Sequence, residues 1–322
     1  MRAMQIQRLE GPESMSLVEI DDARADEKQF LIEVHAAGVT FPDLLQTRGA
    51  YQIKPPLPFV PGSEVAGIVR SAPEGSALRV GSRVAAFPGM GGFQELVAVH
   101  PRAVFALPDR ISFEAGAALP MNYLTVNFAL VRRGRLRAGE TVLVHGAAGG
   151  VGSAAVQVAK ALGARVIAVV STPAKRAIAV QAGADEVVLA EDFLNASKSI
   201  TGGRGVDVVL DPVGGDRFTD SLRSLAPEGR LLVVGFTAGE IPTVKVNRLL
   251  LNNVDVVGVG LGAFMMRDPA LLQNEWAMLV PHLEAGRLDP PLGGTYPLAE
   301  AARALTEMEA RRAIGKIVLR VR

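Results

Sequence analysis

Six short apolar runs, Thr141–His145, Arg165–Val170, Glu186–Leu189, Val206–Leu210, Arg230–Val234 and Val254–Val259, punctuate the middle of the chain at regular intervals. Their apolar character is continuous rather than alternating, as in strands buried on both faces of a parallel sheet. The stretches between them suit crossover helices. Ser153–Leu162 is helix-compatible and is followed by Gly163, a natural C-terminal stop. The next helix is expected from Thr172-Pro173, a cap with proline at the first helical position, to Gly183. Strands alternating with helices in this way predict an α/β, doubly wound fold of the kind that binds dinucleotides.

The ends of the chain lack that rhythm. Gln29–His35, Glu64–Val69, Arg83–Phe87 and Phe93–Val99 read as short strands. Gly and Pro clusters such as Pro55-Pro56-Leu57-Pro58 and Pro88-Gly89-Met90-Gly91-Gly92 separate them, which predicts an irregular, partly closed β-barrel. Beyond residue 263 come a helix over Pro269–Ala285, a Pro/Gly-rich turn, a helix over Leu298–Glu309 and a last strand, Lys316–Val321. A lone terminal strand needs a partner, and the N-terminal strands are the ones available. The expected organisation is therefore a discontinuous domain of residues 1–120 and 264–322, with residues 121–263 inserted as the nucleotide domain.

Composition narrows the chemistry. Lys plus Arg number 34 against 33 for Asp plus Glu, a net charge of +1 that argues against a nucleic-acid partner. The absence of cysteine removes disulfides, thiolate nucleophiles, iron–sulfur clusters and zinc sites that need sulfur. No run of the length needed to span a bilayer is free of charges, prolines and glycine turns, and Met1–Ile6 lacks the apolar core of a signal peptide. The expectation is a soluble, cytoplasmic protein without membrane association.

The most informative segment is Val142-Leu143-Val144-His145-Gly146-Ala147-Ala148-Gly149-Gly150-Val151-Gly152, a strand, a tight glycine turn and a helix start. Backbone amides at such a helix N-terminus bind a pyrophosphate, and residues without side chains let it approach. Ala148, Gly149, Gly150, Val151 and Gly152 are the candidates, with Ala147 standing where the usual fingerprint has its first glycine. About 20 residues further on, NAD-specific sites place an acidic residue for the ribose 2′-hydroxyl. Here the strand ends Val169-Val170-Ser171-Thr172 and continues Pro173-Ala174-Lys175-Arg176. A hydroxyl, Ser171, and two cations, Lys175 and Arg176, replace the carboxylate, as a 2′-phosphate requires. NADPH is the expected cofactor.

Several blocks together resemble the zinc-free quinone oxidoreductase (zeta-crystallin-like) branch of the medium-chain dehydrogenase/reductase superfamily. They are the glycine turn with Ala159-Lys160-Ala161-Leu162-Gly163-Ala164 and Gln181-Ala182-Gly183-Ala184-Asp185, then Ala37–Asp43, Pro61–Gly67, Val80–Val84, Asp211–Gly215 and Gly315–Leu319. The resemblance implies a GroES-like, partly open β-barrel catalytic domain, a doubly wound Rossmann domain, and an active site in the cleft between them. It also implies hydride transfer from NADPH to a quinone or similar conjugated carbonyl. A 2-enoyl reductase acting on an enal, enone or enoyl thioester is the alternative enzyme. An NADPH-binding structural or regulatory protein with little turnover is the alternative outside catalysis.

Zinc-dependent relatives hold their catalytic metal through Cys and His, and Ser63 occupies the histidine position of their Gly-His-Glu motif. No metal is expected, which selects conjugated acceptors: their charge spreads over the π-system, whereas a simple ketone needs a Lewis acid for its alkoxide. Thr40 stands where family members often carry Asn beside the nicotinamide, and a hydroxyl holds fewer partners than an amide. Tyr51 matches a cleft tyrosine of the family and is the expected donor to the acceptor's oxygen. Thr40, Tyr51 or ordered water is thus expected to stabilise the oxyanion. Asp43 reads as a helix or turn stabiliser, and Ala190 replaces a tyrosine that bacterial relatives set against the cofactor.

Thr125 resembles a family threonine near the nicotinamide, Gly235 and Phe236 the turn for its carboxamide, and Lys316 a lysine near the cofactor. Asn247-Arg248 reaches either the cofactor or a second subunit, His145 reads as strand-end packing, and Phe264-Met265-Met266 as core or interface. The apolar strand Val254–Val259, at the end of the sheet, predicts a homodimer paired through it.

Overall fold

A computed structural model describes residues 1–322. The chain divides into two compact units: Met1–Met121 with Pro269–Glu284 and Leu292–Arg322, and Asn122–Asp268 with Ala285–Pro291. Residues 264–268 and the segment Ala285–Pro291, read from sequence with the first unit, lie with the second.

The first unit is mainly antiparallel. Its strands are β1 (Arg2–Ile6), β2 (Met15–Glu19), β3 (Phe30–Gly38), β4 (Glu64–Ser71), β5 (Arg83–Ala86), β6 (Leu96–Val99) and β7 (Val104–Ala106). The helices α1 (Phe41–Thr47) and α2 (Phe113–Ala117) belong to it, and α3 (Pro120–Asn127) follows and runs into a wider π-helical turn over Phe128–Arg133. β1 and β2 pair as a separate hairpin that carries no strict alternation, because Ser16 and Glu19 are exposed beside an exposed Leu17.

Strand β3 anchors the large sheet. Its first half, Phe30–Glu33, pairs with β6, and its end, Ala36–Gly38, pairs with the terminal strand. Register shifts against β4 between Leu31 and Ile32 and between Val34 and Ala36 bend β3 enough to serve both neighbours.

The second unit is a parallel sheet. Its strands are β8 (Thr141–Val144), β9 (Arg165–Val170), β10 (Glu186–Leu189), β11 (Val206–Asp211), β12 (Leu225–Val233) and β13 (Asp255–Gly258). They lie in the order β10-β9-β8-β11-β12-β13, every pair parallel. The chain winds outward from β8 to β10, then crosses over to β11 and winds the other way. The strand order therefore reverses between β8 and β11, the position where open α/β sheets bind their ligands.

The helices of this unit are α4 (Gly150–Ala161), α5 (Arg176–Gln181), α6 (Phe193–Ile200), α7 (Phe218–Ser224), α8 (Asn247–Asn252) and α9 (Leu261–Met265). Leu143, Ile167, Val169, Val209 and Leu231 of the strands are buried with Phe193, Phe218 and Leu222 of α6 and α7 in one apolar cluster.

The chain then returns to the first unit through α10 (Leu271–Glu284), β14 (Leu292–Pro297), α11 (Ala301–Glu309) and β15 (Lys316–Arg320). β15 pairs antiparallel with β3, as the lone terminal strand required. The Pro/Gly-rich stretch expected to be a plain turn is instead β14, which runs parallel to β15 with an irregularity between Leu292 and Gly294. Its alternation was masked by Gly293, where an added Cβ would lie 1.4 Å from the Ile314 carbonyl oxygen. The helix expected over 172–183 is a 3₁₀ turn, Pro173–Lys175, followed by the shorter α5. Thr172 caps neither through its side chain.

Candidate functional site

In the second unit the glycine turn sits where the sheet order reverses. β8 ends at Val144, His145 N donates to the Leu210 carbonyl of β11 at 3.0 Å, and Gly146 turns the chain at φ +59°. Gly149 N closes onto Gly146 O at 2.9 Å and α4 begins at Gly150. Ala147 and Ala148 are buried beneath the turn, whereas Gly149, Gly150 and Val151 stay half-exposed. Gly152 is demanded by packing, because a Cβ there would stand 2.1 Å from the Gly146 carbonyl oxygen.

No side chain caps α4. Its N-terminus therefore presents unsatisfied amides and a partial positive charge, the requirements of a phosphate. Helix α4, the bare turn and the switch-point position fit a pyrophosphate.

The neighbouring turns complete this face. The carboxylate of buried Asp211 accepts from Val213 N at 2.8 Å and from Gly214 N at 3.0 Å, fixing the loop after β11. Thr237 N and Ala238 N then donate to the carbonyls of Pro212 and Val213, which laces the Gly235–Phe236 turn to that loop. An added Cβ at Gly214 would meet the Phe236 ring at 2.9 Å.

After β9, Ser171 is exposed and Lys175 half-buried. Arg176 is exposed, and its guanidinium donates to the Val187 carbonyl of β10 at 2.6 Å. Arg176 thus has a structural task that the sequence did not reveal. Thr125 is half-buried on α3. The neighbouring Tyr123 hydroxyl donates to Gln157 at 2.7 Å, and Gln157 in turn holds the backbone of Asp289. Phe264 packs against Phe128 with rings 5.1 Å apart and under the Arg132 guanidinium, while Met266 stays exposed. Asn247 and Arg248 lie on the exposed helix α8.

In the first unit a buried polar cluster forms around α1. Thr40 is the N-cap and Asp43 the N3 residue of a capping box. Asp43 Oδ2 accepts from Thr40 N at 2.7 Å and from Thr40 Oγ1 at 2.6 Å, and its other oxygen accepts from Gly62 N at 3.2 Å. Thr40 Oγ1 also lies 3.1 Å from Ser63 Oγ. Burial pushes the Asp43 carboxyl up to about 6, against the downward pull of the Thr40 hydrogen bonds and the Lys316 charge. Tyr51, half-buried just beyond α1, has its phenol held above the ordinary value by burial and by the Asp43 charge.

Lys316 opens β15 almost fully buried and forms an ion pair with Glu64, itself fully buried at the start of β4. The second Glu64 oxygen accepts from Met121 N at 2.7 Å. Lys316, expected beside the cofactor, is therefore committed to Glu64. Reasoning from sequence did not pair Glu64 with Lys316, although the signal existed: each is a charge opening an apolar strand, and a buried charge requires a counter-charge.

His145 is buried at the end of β8, with Nε2 2.8 Å from Ser221 Oγ and its ring edge-on to Phe193 at 4.8 Å. Ser221 spends its own hydrogen on Arg217 O, so the imidazole is the donor and carries its proton on Nε2. Burial pushes the imidazole down to about 4. No group of three or more His, Cys, Asp or Glu side chains is placed to hold a metal ion. A catalytic zinc does not fit these residues.

Comparison with known proteins places this geometry. Residues 26–109 match the family model described as alcohol dehydrogenase GroES-like domain, and residues 150–284 match the zinc-binding dehydrogenase model. The fold and the glycine turn thus define a two-domain enzyme, an oxidoreductase of the medium-chain dehydrogenase/reductase superfamily. Within it the chain belongs to the quinone oxidoreductase (zeta-crystallin-like) family.

It is 37% identical over 292 residues to a Bos taurus quinone oxidoreductase-like protein 2, a match covering 89% of this chain and 84% of the relative. A solved structure of a probable oxidoreductase from Mycobacterium abscessus is 45% identical with a TM-score of 0.92, over 100% of this chain and 99% of the other. The quinone oxidoreductase of Thermus thermophilus, solved also in complex with NADPH, is 38% identical with a TM-score of 0.87 and complete coverage of both chains, 100% of each.

The state of His145 sets a sign for acid stability. Its folded value of about 4 lies below the ordinary 6.5, so neutral burial stabilises fully above pH 6.5 and is lost as pH falls through about 4. Asp43, raised from 3.8 to about 6, acts in the opposite direction across nearly the same interval. Urea unfolding at pH 7 and pH 4.5 should therefore show a smaller acid loss in His145→Asn than in the wild type. An identical loss in both would mean that the imidazole is not buried neutral.

Proposed function

We propose that this protein is an NADPH-dependent reductase of a quinone or similarly conjugated carbonyl acceptor and that it works without a metal. The observation that carries the reading is the uncapped glycine turn at the sheet's switch point, followed past β9 by Ser171 and Lys175 rather than a carboxylate. NADPH complexes of relatives such as the Thermus enzyme support it. When bound, the reduced nicotinamide supplies a hydride.

The chain's own residues do the rest. The amides of Gly150, Val151 and Gly152, with Gly149 and the buried Ala148 beside them, shape the pyrophosphate cradle, and the laced turn at Gly235 and Phe236 with Thr125 orients the nicotinamide end. Ser171 and Lys175 take the 2′-phosphate, with Arg176 contributing the donors that Val187 leaves over. Tyr51 donates to the acceptor's oxygen, Thr40 acts through its contact with the Ser63 hydroxyl, and Lys316 holds Glu64 rather than the cofactor. A hydroxyl cluster where zinc relatives carry a metal suits an acceptor that delocalises its own negative charge.

An NADPH-oxidation screen across quinones, enals and enoyl thioesters tests the reading. Turnover with quinones is expected, unaffected by chelators, from protein without stoichiometric zinc. Enal or enoyl-thioester turnover alone would move the assignment to a 2-enoyl reductase. Binding of NADPH with no turnover would leave a nucleotide-binding regulatory protein.

Cofactor choice gives a second expectation. A hydrogen bond to a charged group contributes roughly 1.5–3 kcal/mol. Lys175 is only half-buried, so the lower end applies, about 10-fold in affinity. Lys175→Ala should weaken NADPH by about that factor and leave NADH nearly unchanged, as read by kcat/KM for each cofactor. Equal losses for both would reduce the cluster to a helix start.

The partner is a second copy of the chain. β13 ends the six-stranded sheet with one edge unpaired, and Ile241, Val246, Leu250 and Leu251 nearby in sequence are each more than 70% exposed. Light scattering at micromolar concentration should report a homodimer, and a monomer there would contradict this assignment.

A further inference from the structure

We propose that Asp43, Thr40 and Ser63 form a proton wire whose outer end, the Ser63 hydroxyl, protonates the oxyanion left on the acceptor after hydride transfer. The inference rests on the reductase reading given above. Its physical basis is that each hydroxyl in the chain owns a single hydrogen, so the charge of the carboxyl at one end dictates which way every bond points.

With Asp43 ionised, the Thr40 hydrogen is committed to Asp43 Oδ2 at 2.6 Å. Thr40 Oγ1 is then only an acceptor toward Ser63 at 3.1 Å, so Ser63 points its hydrogen inward. With Asp43 protonated, the carboxylic hydrogen goes to Thr40 Oγ1, the Thr40 hydrogen turns to Ser63 Oγ, and the Ser63 hydrogen is freed from the wire for another acceptor. The backbone bond from Thr40 N to Asp43 Oδ2 survives in both states, so helix α1 keeps a cap throughout. A purely structural capping box does not need the third member; Ser63 belongs to β4's approach, 23 residues away in sequence.

The residues around the wire favour a carboxyl that holds a proton near neutrality. Asp43 is 1% exposed, and Thr40 and Ser63 are 3% and 4% exposed. The charged and titratable groups facing Asp43 are Lys316 from β15, Glu64 from β4 and Tyr51 beyond α1. Lys316 and Glu64 are paired with each other and act on Asp43 in opposite directions, Lys316 lowering and Glu64 raising, so burial dominates. Asp43 accordingly sits at about 6.

With the cofactor bound, the hydride it would supply, one proton with two electrons, leaves the conjugated acceptor as an oxyanion. The Ser63 O–H bond breaks as the proton passes to that oxygen, Ser63 takes the hydrogen of Thr40, and Thr40 takes that of Asp43. Asp43 is left as a carboxylate. After product leaves, the wire refills from water in the reverse direction. Asp43 is in this sense a positioning residue, acting through Thr40 and Ser63.

Ser63→Ala tests this without touching the capping box, and Ser63→Thr restores the hydroxyl. In steady-state quinone reduction at saturating NADPH, wild-type kcat should fall as pH rises through about 6. Ser63→Ala should lower kcat roughly 100-fold, the scale of a lost general acid, with little change in KM and no such pH limb. Ser63→Thr should recover both. A second readout needs neither cofactor nor acceptor: infrared difference spectra of the cofactor-free protein should show a buried carboxylic-acid band titrating near pH 6. That band should be missing in Asp43→Asn and shifted in Ser63→Ala. Wild-type turnover combined with unaltered kcat and pH dependence in Ser63→Ala overturns the wire alone, as does the absence of the titrating band. No turnover of any conjugated acceptor by the wild type overturns the reductase reading and the wire's role with it.

Discussion

The ion pair between Glu64 and Lys316 is the interaction on which the first unit depends. The two residues are 252 positions apart by their numbers, and both are almost wholly removed from water. Neither charge is tolerable in that interior without the other; deleting one partner of such a pair typically costs about 3–5 kcal/mol. The pair fixes the start of β15 against the start of β4, while Glu64 also takes the Met121 amide in the first turn of α3. Gly38 is drawn into the same constraint, because a Cβ on it would meet the Glu64 carboxylate at 2.5 Å and the Ala117 carbonyl at 2.3 Å.

From that pair the polar cluster follows. β4 places Ser63 next to Thr40 only because Glu64 is pinned one residue further on. Gly62, at φ +101°, turns its amide toward Asp43, a conformation that a side chain at this position would resist. The capping box then serves two purposes: it starts α1, and it keeps a carboxyl dry enough to hold a proton near pH 6. Stability and chemistry share the same four hydrogen bonds.

The second unit rests on a different constraint, close approach of backbone to backbone. Gly152 lets α4 settle against the carbonyl of Gly146, and Gly214 lets the loop after β11 lie against Phe236. Both loops stand at the carboxyl ends of β8 and β11, where the winding reverses. Side-chain-free turns at this point leave amides exposed to a ligand, and the α4 terminus has no cap of its own to satisfy them.

Residue spacing by itself determined the parallel sheet, its six strands, the glycine turn and the return of the last strand to the N-terminal strands, though not to β3 in particular, because apolar periodicity and glycine placement are local signals. The family resemblance, rather than spacing, drew Thr40, Asp43, Ser63 and Lys316 into view. Spacing did not reveal β14, whose glycines hide its alternation, nor the break between the Pro173 turn and α5. Only the tertiary structure decided how the polar residues are spent: Lys316 on Glu64, Arg176 on the Val187 carbonyl, Thr40 between Asp43 and Ser63. The physical reason is that a buried polar group must find a partner wherever the chain brings one, and apart from Asp43, three residues from Thr40, those partners lie 11 to 252 residues away, beyond the reach of a local pattern.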